Sequence, residues 1–325
     1  MRAIVADQPG DPDVLHVAEV PDPVPAPGEV LLRVRATALN RADLAQRRGF
    51  YPPPPGITDI IGMEAAGEIE SVTEGVSGWA VGDRACCILA GGGYAEKVAV
   101  PAGQLMQVPA NLDIISAGGI PEVFLTAHDN MVTRCRLRGG DTVLIHGGAS
   151  GVGTAAIQIA KRAGARVIVT AGGPERLERC GELGADFGID HREEDFAARV
   201  AEITGGRGVD VILDIIGAAY LERNLQSLAE EGRMVMIGMQ GGVRAEISLN
   251  EMLVRRLTLM ATTLRRRSPA DKAEVVRRGA ADLLPGFADG SLRPVIDRVM
   301  PLDQAAEAHR VLEEGGVVGK IVLAV

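Results

Sequence analysis

The run Val143-Leu-Ile-His146-Gly-Gly-Ala-Ser150-Gly151-Val152-Gly153-Thr-Ala-Ala156 constrains the fold of this chain more than any other segment. A short apolar stretch leads into a glycine-rich turn, and Thr154–Lys161 continues as a helix-like segment. Gly151-x-Gly153-x-x-Ala156 fits the G-x-G-x-x-G/A fingerprint of dinucleotide-binding turns. Gly151 permits the tight strand-to-helix turn, Gly153 lets backbone approach a pyrophosphate, and Ala156 keeps the helix near its strand. The helix start offers free N–H groups and a positive dipole end to the phosphates. Glycine-rich turns are common, so the fingerprint alone says little. The legible strand before it and helix after it make a nucleotide site the expectation.

Residues 166–261 repeat the same strand-and-helix unit. Arg166–Thr170 is a β-branched run of the kind a buried parallel strand requires. Further strands are expected at Ala185–Asp190, Val209–Asp214, Arg233–Gly238 and Leu257–Ala261. Helical segments separate them at Pro174–Leu183, Glu194–Ile203 and Tyr220–Leu228. Strands alternating with helices imply a doubly wound parallel sheet, an α/β Rossmann arrangement whose ligand lies at the carboxyl ends of the strands. The alternative is a domain of this shape that no longer binds its cofactor.

The second strand indicates which dinucleotide. NAD sites carry an acid about 20 residues past the fingerprint to hold the ribose 2′-OH. Here the strand ends Thr170-Ala-Gly-Gly173, with no acid at its tip. A 2′-phosphate meets no repulsion there, the glycines leave room for it, and Arg176 is placed to pair with it. Glu175 beside Arg176 would oppose the same phosphate if it pointed inward. The expectation is NADPH.

Composition narrows the function classes. The chain has 325 residues, long enough for two domains with separate cores, and is 46% hydrophobic without a run able to span a membrane. Met1–Asp7 is too short an apolar stretch for a signal peptide and reads as a first strand. A net charge of -9 argues against nucleic acid as a partner. Cys86, Cys87, Cys135 and Cys180 form no disulfide or zinc spacing, which suits a reducing cytoplasm.

The flanks differ from the middle. Val30–Arg35 and Gly67–Val72 alternate apolar and polar residues between turns at Pro21–Pro27, Pro52–Gly56 and Gly91–Gly93. That pattern predicts a mostly antiparallel β domain. Val295–Val299, a helix at Leu302–Leu312 and a strand at Lys320–Val325 return to the same style. Residues 1–117 with 267–325 are expected to form one domain, and 118–266 the dinucleotide-binding domain.

Taken together, Ala38-Leu-Asn40-Arg-Ala-Asp43, Gly62-Met63-Glu-Ala-Ala-Gly67, Gly82-Asp83-Arg84, Gly91–Glu96, the Val143–Gly153 run and Gly319-Lys-Ile-Val-Leu323 carry a resemblance over essentially the whole chain. The sequence resembles the zinc-free quinone oxidoreductases, the zeta-crystallin-like branch of the medium-chain dehydrogenase/reductase superfamily. The resemblance implies a GroES-like substrate domain wrapped by the tail, a Rossmann domain, and a homodimer paired through a strand at Leu257–Leu264. It implies that Ser150 and Val152 donate N–H groups to the pyrophosphate, that Thr126 lies near the nicotinamide, and that Gly238-Met239-Gln240 and Thr263-Leu264 border that half of the cofactor. Where the family often has a tyrosine near the adenosine phosphate, this chain has His191, able to bond a 2′-phosphate. Val317 replaces a frequent asparagine before the terminal Gly-Lys. Thr126 has an alternative reading as a helix hydroxyl bonding its own turn.

Zinc enzymes of the superfamily place ligands where this chain has Asn40 and Met63, neither a usable zinc ligand. Without a Lewis acid the acceptors must already be electrophilic: quinones, or alkenes conjugated to a carbonyl. Asn40 through its amide and Tyr51 through its phenol are the candidate donors to developing oxygen charge. The alternatives are a turn amide for Asn40 and a rim aromatic on Pro52–Pro55 for Tyr51. His146 reads as structural, Asp214 as structural or cofactor-adjacent, and Arg265-Arg-Arg267 as a solvated charge run, with a phosphate or partner contact as its alternative. The expected activity is NADPH:quinone oxidoreduction. An enal or enone reductase is the alternative within enzymes, and a cofactor-binding protein with little turnover is the alternative outside them.

Overall fold

The computed structural model describes all residues, 1–325, as two compact units: 1–125 with 264–325, and 126–263. The first unit opens with β1 (Arg2–Ala6), β2 (Leu15–Glu19), β3 (Glu29–Ala38), α1 (Arg41–Arg47), β4 (Glu64–Val72), β5 (Arg84–Ile88), β6 (Lys97–Pro101), β7 (Leu105–Gln107), α2 (Ile114–Ala117) and α3 (Pro121–Ala127). The second holds β8 (Thr142–His146), α4 (Gly151–Arg162), β9 (Arg166–Ala171), α5 (Pro174–Glu182), β10 (Phe187–Asp190), α6 (Phe196–Ile203), β11 (Val209–Asp214), α7 (Leu221–Ser227), β12 (Leu228–Met236), α8 (Leu249–Arg255) and β13 (Thr258–Ala261). The chain then returns to the first unit with α9 (Pro269–Asp289), β14 (Ile296–Pro301), α10 (Ala305–Glu314) and β15 (Lys320–Ala324).

In the second unit six strands pair in the order β10-β9-β8-β11-β12-β13, all parallel. Counted from β8 this is 3-2-1-4-5-6, the Rossmann order, with the strand order reversing between β8 and β11. The apolar runs read from the sequence make its core, Leu144, Ile168, Ile189, Ile212 and Met234 among them. Helix α4 starts at the expected turn, its N-cap Ser150 accepting from Gly153 N, and ends on Lys161 and Arg162, whose charges suit the negative dipole end.

The first unit is built on a sheet of order β14-β15-β3-β4-β5-β7, with β6 also pairing β3. Its pairs are antiparallel except β14 with β15. Strand alternation does the sorting: Val30, Leu32 and Val34 of β3 face a core shared with Ala65, Ile69, Val98 and Val100. Strand β15 joins β3 through Val322 opposite Ala38, so the tail completes this sheet.

Several boundaries differ from the sequence expectation for local reasons. Helix α6 begins at Phe196 instead of Glu194, because the Asp195 side chain caps it by accepting from Ala197 N. Strand β12 begins at Leu228, where a helix end was expected, and β13 covers only Thr258–Ala261. Helix α9, at 21 residues the longest, is not foreseen by the sequence pattern; Pro285 within it and its glycines obscure the helical period. Helix α3 falls almost wholly in the first unit, where Phe124 packs edge-to-face on Phe287 of α9 with ring centroids 4.8 Å apart. Phe124→Ala is expected to cost about 3–5 kcal/mol, measured by chemical denaturation.

Candidate functional site

In the second unit, the turn after β8 is a cradle that side chains would fill. A Cβ at Gly153 would stand 2.2 Å from Gly147 O and 2.6 Å from Gly148 O, and Gly147 itself has φ +68°. Gly151 and Val152 open α4, where backbone N–H groups have no acceptor one turn back. The loops after β11 and β12 are equally close: a Cβ at Gly238 would lie 2.7 Å from Ile215 O. Gln240 N donates to Ile215 O at 3.3 Å, and Met239 is exposed. Asp214 accepts from Ile216 N at 2.9 Å and Gly217 N at 2.8 Å, which holds this turn. His146 is buried between Thr170 and Asn224 (3.0 and 2.7 Å), and burial drives its pKa down to about 4. Both behave as the structural groups the sequence suggested.

The tip of β9 gathers cations. Arg192 lies over Gly172, where a Cβ would stand 2.7 Å from its Nε. Neither Arg192 nor Arg176 pairs its guanidinium with a carboxylate. Asp190 is occupied with backbone, accepting from Gly173 N at 2.9 Å and Arg192 N at 3.0 Å. His191 is exposed beside them. Sequence reasoning named Gly173, Arg176 and His191 but missed Arg192, although it adjoins His191. These unpaired cations and the glycine turns fit a dinucleotide bearing an extra phosphate.

At the far end of α3, Thr126 Oγ1 is buried without a hydrogen-bond partner, so the own-turn reading does not hold. The Thr126 carbonyl instead accepts from Asn130 Nδ2 at 2.8 Å, where the helix widens into a π-helical turn over His128–Arg134. Thr262 Oγ1 donates to Asn130 Oδ1 at 2.6 Å. Thr263 is exposed at the end of this unit, while Leu264 is buried and belongs to the other.

The first unit holds a polar cluster. Asn40 directly precedes α1, and its Nδ2 donates to Glu64 Oε1 at 2.9 Å and Ala38 O at 3.3 Å. Its Oδ1 accepts from Lys320 Nζ at 2.7 Å. The Lys320 ammonium also reaches Glu64 Oε1 at 2.8 Å and Leu39 O at 2.6 Å, with its side chain 4% and that of Glu64 0% exposed. Asp43 accepts from Asn40 N at 2.7 Å, and burial raises its pKa to about 7. Tyr94 donates to Asp43 at 3.4 Å and meets His309 Nε2 at 3.2 Å; His309 Nδ1 faces Arg47 at 3.3 Å. Burial, then the Arg47 charge, lowers His309 to about 3, so it stays neutral.

Arg265 corrects the charge-run reading. It is only 4% exposed and donates to Ala90 O (2.7 Å), Tyr51 O (3.0 Å) and Gln46 Oε1 (2.6 Å). Its guanidinium also lies 5.1 Å from the Tyr51 ring centroid, a cation–π contact that fixes the Tyr51 loop.

Residues 26–110 match the alcohol dehydrogenase GroES-like domain, and residues 151–281 match the zinc-binding dehydrogenase family. A quinone oxidoreductase of Lama guanicoe is 32% identical over 99% of this chain and 97% of its own. A 2-haloacrylate reductase of a Burkholderia species is 33% identical over 99% and 98%. Among solved structures, a mycobacterial protein complexed with NADPH covers 100% of both chains at 31% identity and TM-score 0.89. An NAD-dependent alcohol dehydrogenase covers 100% of both at 36% identity and TM-score 0.87. The chain belongs to the medium-chain dehydrogenase/reductase superfamily, in its zeta-crystallin-like quinone oxidoreductase branch. In this member of the branch, no three His, Cys, Asp or Glu side chains converge as a metal-ligating group, and no helix is long and apolar enough to cross a membrane.

The oxidoreductase's polar cluster generates two expectations. Lys320→Met leaves Glu64 buried without its cation and is expected to cost about 3–5 kcal/mol, read by thermal or chemical unfolding. Stability is also expected to fall as pH rises from about 6.5 to 8. Asp43 (about 7) and Glu122 (about 8) keep their protons in the folded state after the unfolded chain has lost them. The buried histidines oppose this near pH 6.5, where the unfolded chain still holds them about half protonated, and add little above about pH 7.5. Denaturation across that pH range checks the sign.

Proposed function

We propose that the chain is an NADPH-dependent quinone oxidoreductase that works without zinc. The observation that carries the cofactor half is the β9 tip, where Arg192 lies over Gly172, neither it nor Arg176 pairs with a carboxylate, and the neighbouring Asp190 is taken up by the backbone N–H groups of Gly173 and Arg192. Those two arginines and His191 hold the 2′-phosphate. Ser150, Gly151, Val152 and Gly153 hold the pyrophosphate through α4. Thr126, Gly238, Met239, Gln240, Thr263 and Leu264 line the nicotinamide, with the unsatisfied Thr126 hydroxyl available to its carboxamide. Bound there, NADPH supplies the hydride.

Asn40 and Tyr51 are assigned to the acceptor. Asn40 has both amide hydrogens on Glu64 and Ala38, so its part is to hold the Lys320 charge at the site. That ammonium, with Arg265 behind Tyr51, favours negative charge on an acceptor oxygen. A quinone needs little more than this, because it becomes aromatic on accepting hydride. Residues at the superfamily's zinc positions support zinc independence: Met63 is buried, and Asn40 is already bound to an ammonium.

The partner is a second copy of the chain, joined along β13. This strand is the sheet's open edge, and Leu249, Leu253 and Val254 of the preceding helix are exposed beside it in sequence. Four free, buried cysteines suit a reducing cytoplasm.

The test is the rate of NADPH oxidation, beside NADH, with an ortho-quinone and with a simple enal. Faster turnover with NADPH and the quinone is expected. Preference for the enal would make the protein an alkene reductase, and tight NADPH binding without turnover would make it a binding protein. Joint Arg176→Ala and Arg192→Ala substitution is expected to raise the KM for NADPH about 10–100-fold, and to leave that for NADH within about twofold.

A further inference from the structure

One titratable group has no role in this reading. Glu122 stands on the first turn of α3, and its backbone N–H donates to Glu64 Oε2 at 2.9 Å. The other oxygen of the same carboxylate takes Asn40 and Lys320. Glu64 therefore bridges the acceptor-side asparagine to the helix that carries Glu122. Thr126 follows Glu122 by four residues, one turn along the same helix face. The Glu122 carboxyl makes no hydrogen bond or ion pair within the protein, and neither does the ammonium of Lys272, which is only 4% exposed on the first turn of α9.

Reduction needs a proton as well as a hydride, and the cluster leaves few sources. The Asn40 amide is not an acid. Lys320 has all three hydrogens committed, to Leu39 O, Asn40 Oδ1 and Glu64. Arg265 does not give up its proton. Tyr51, Lys272, Asp43 and Glu122 remain. A carboxylic acid releases a proton more readily than a phenol or an ammonium, and Asp43 is fully buried beneath Tyr94 and the Asn40 N–H while Glu122 is partly exposed.

We propose that Glu122 is the acid that completes the reduction, giving its proton to the oxygen anion that hydride transfer leaves on the acceptor. This rests on the oxidoreductase reading above. The Glu122 O–H bond breaks as an O–H bond forms on the acceptor, and the carboxylate is recharged from water. In sum, quinone, NADPH and one proton give hydroquinone and NADP⁺. The charged groups facing Glu122 are Glu64 from β4, Lys320 from β15, Asp43 from α1, Lys272 from α9 and Arg265. Burial, then the Glu64 charge, raises Glu122 to about 8, which keeps the proton available at neutral pH. Lys320 and Lys272 steady the carboxylate once the proton has left.

The first readout needs no turnover. An infrared-monitored pH titration of the cofactor-free protein should show a carboxylic acid band that disappears near pH 8 and is missing in Glu122→Gln. A wild-type protein without that band overturns the proposal. The second readout is kinetic. Wild-type kcat with an ortho-quinone should fall above about pH 8, and Glu122→Gln should lower kcat about 100-fold and remove that limb while NADPH binding stays within twofold. Wild-type kcat and pH profile in Glu122→Gln, with loss of activity in Tyr51→Phe, would give the role to Tyr51. If Glu122→Gln does not fold, Glu122→Asp decides: a displaced alkaline limb supports the proposal and an unchanged one overturns it. A wild type that reduces neither quinone nor enal defeats the functional reading. The infrared titration then still decides whether Glu122 holds a proton at neutral pH.

Discussion

A buried ion pair between Glu64 and Lys320 organises the first unit. Taking two such charges out of water costs several kcal/mol per ion, and their attraction repays this only with good geometry and further hydrogen bonds. Both conditions hold here. Glu64 accepts from Asn40, Lys320 and the Glu122 backbone, while Lys320 divides its hydrogens among Glu64, Asn40 and Leu39. Strands β4 and β15, the start of α1 and the start of α3 are thereby held at one point. The pair is tolerable because it is the hub of a network, and the network sets where Asn40 and the Lys320 ammonium stand.

A second chain of contacts supports the first from behind. Asp43 holds the Asn40 backbone, Tyr94 reaches Asp43, and His309 with Arg47 closes the line toward Glu313. His309 remains neutral beside the guanidinium, so its Nδ1 accepts from Arg47 and its Nε2–H is free to face Tyr94. Helix α10 is in this way tied to the loop before α1 through polar groups instead of apolar packing alone.

Much of the second unit was legible because its signals are local. The glycine turn at 147–153, the β-branched strands and the missing acid at the end of β9 all sit within short windows. The first unit was legible as a fold, through strand alternation and the family resemblance, but its polar cluster was not. Lys320 meets Asn40 across 280 residues, and no periodicity reports a contact of that span. Arg265 was misread for a related reason: in the sequence it is one of three adjacent arginines, yet it finds three acceptors and becomes buried. Glu122 gave no signal, because an acid in the first turn of a helix is what the helix dipole favours anyway.

The distance between the two halves of the Glu64–Lys320 network bears on how the chain assembles. The second unit is a continuous segment, 126–263, while the first is split around it. Residues 40 and 64 are made long before residue 320, so early in synthesis a carboxylate destined for the interior has no cation and must stay hydrated. Domains fold as units during synthesis, and the inserted segment is complete well before β15 emerges. Once folded, it shortens the loop that β15 must close to reach β3. The Glu64–Lys320 cluster can therefore close only after the tail has been made, later than the whole segment inserted into its own unit.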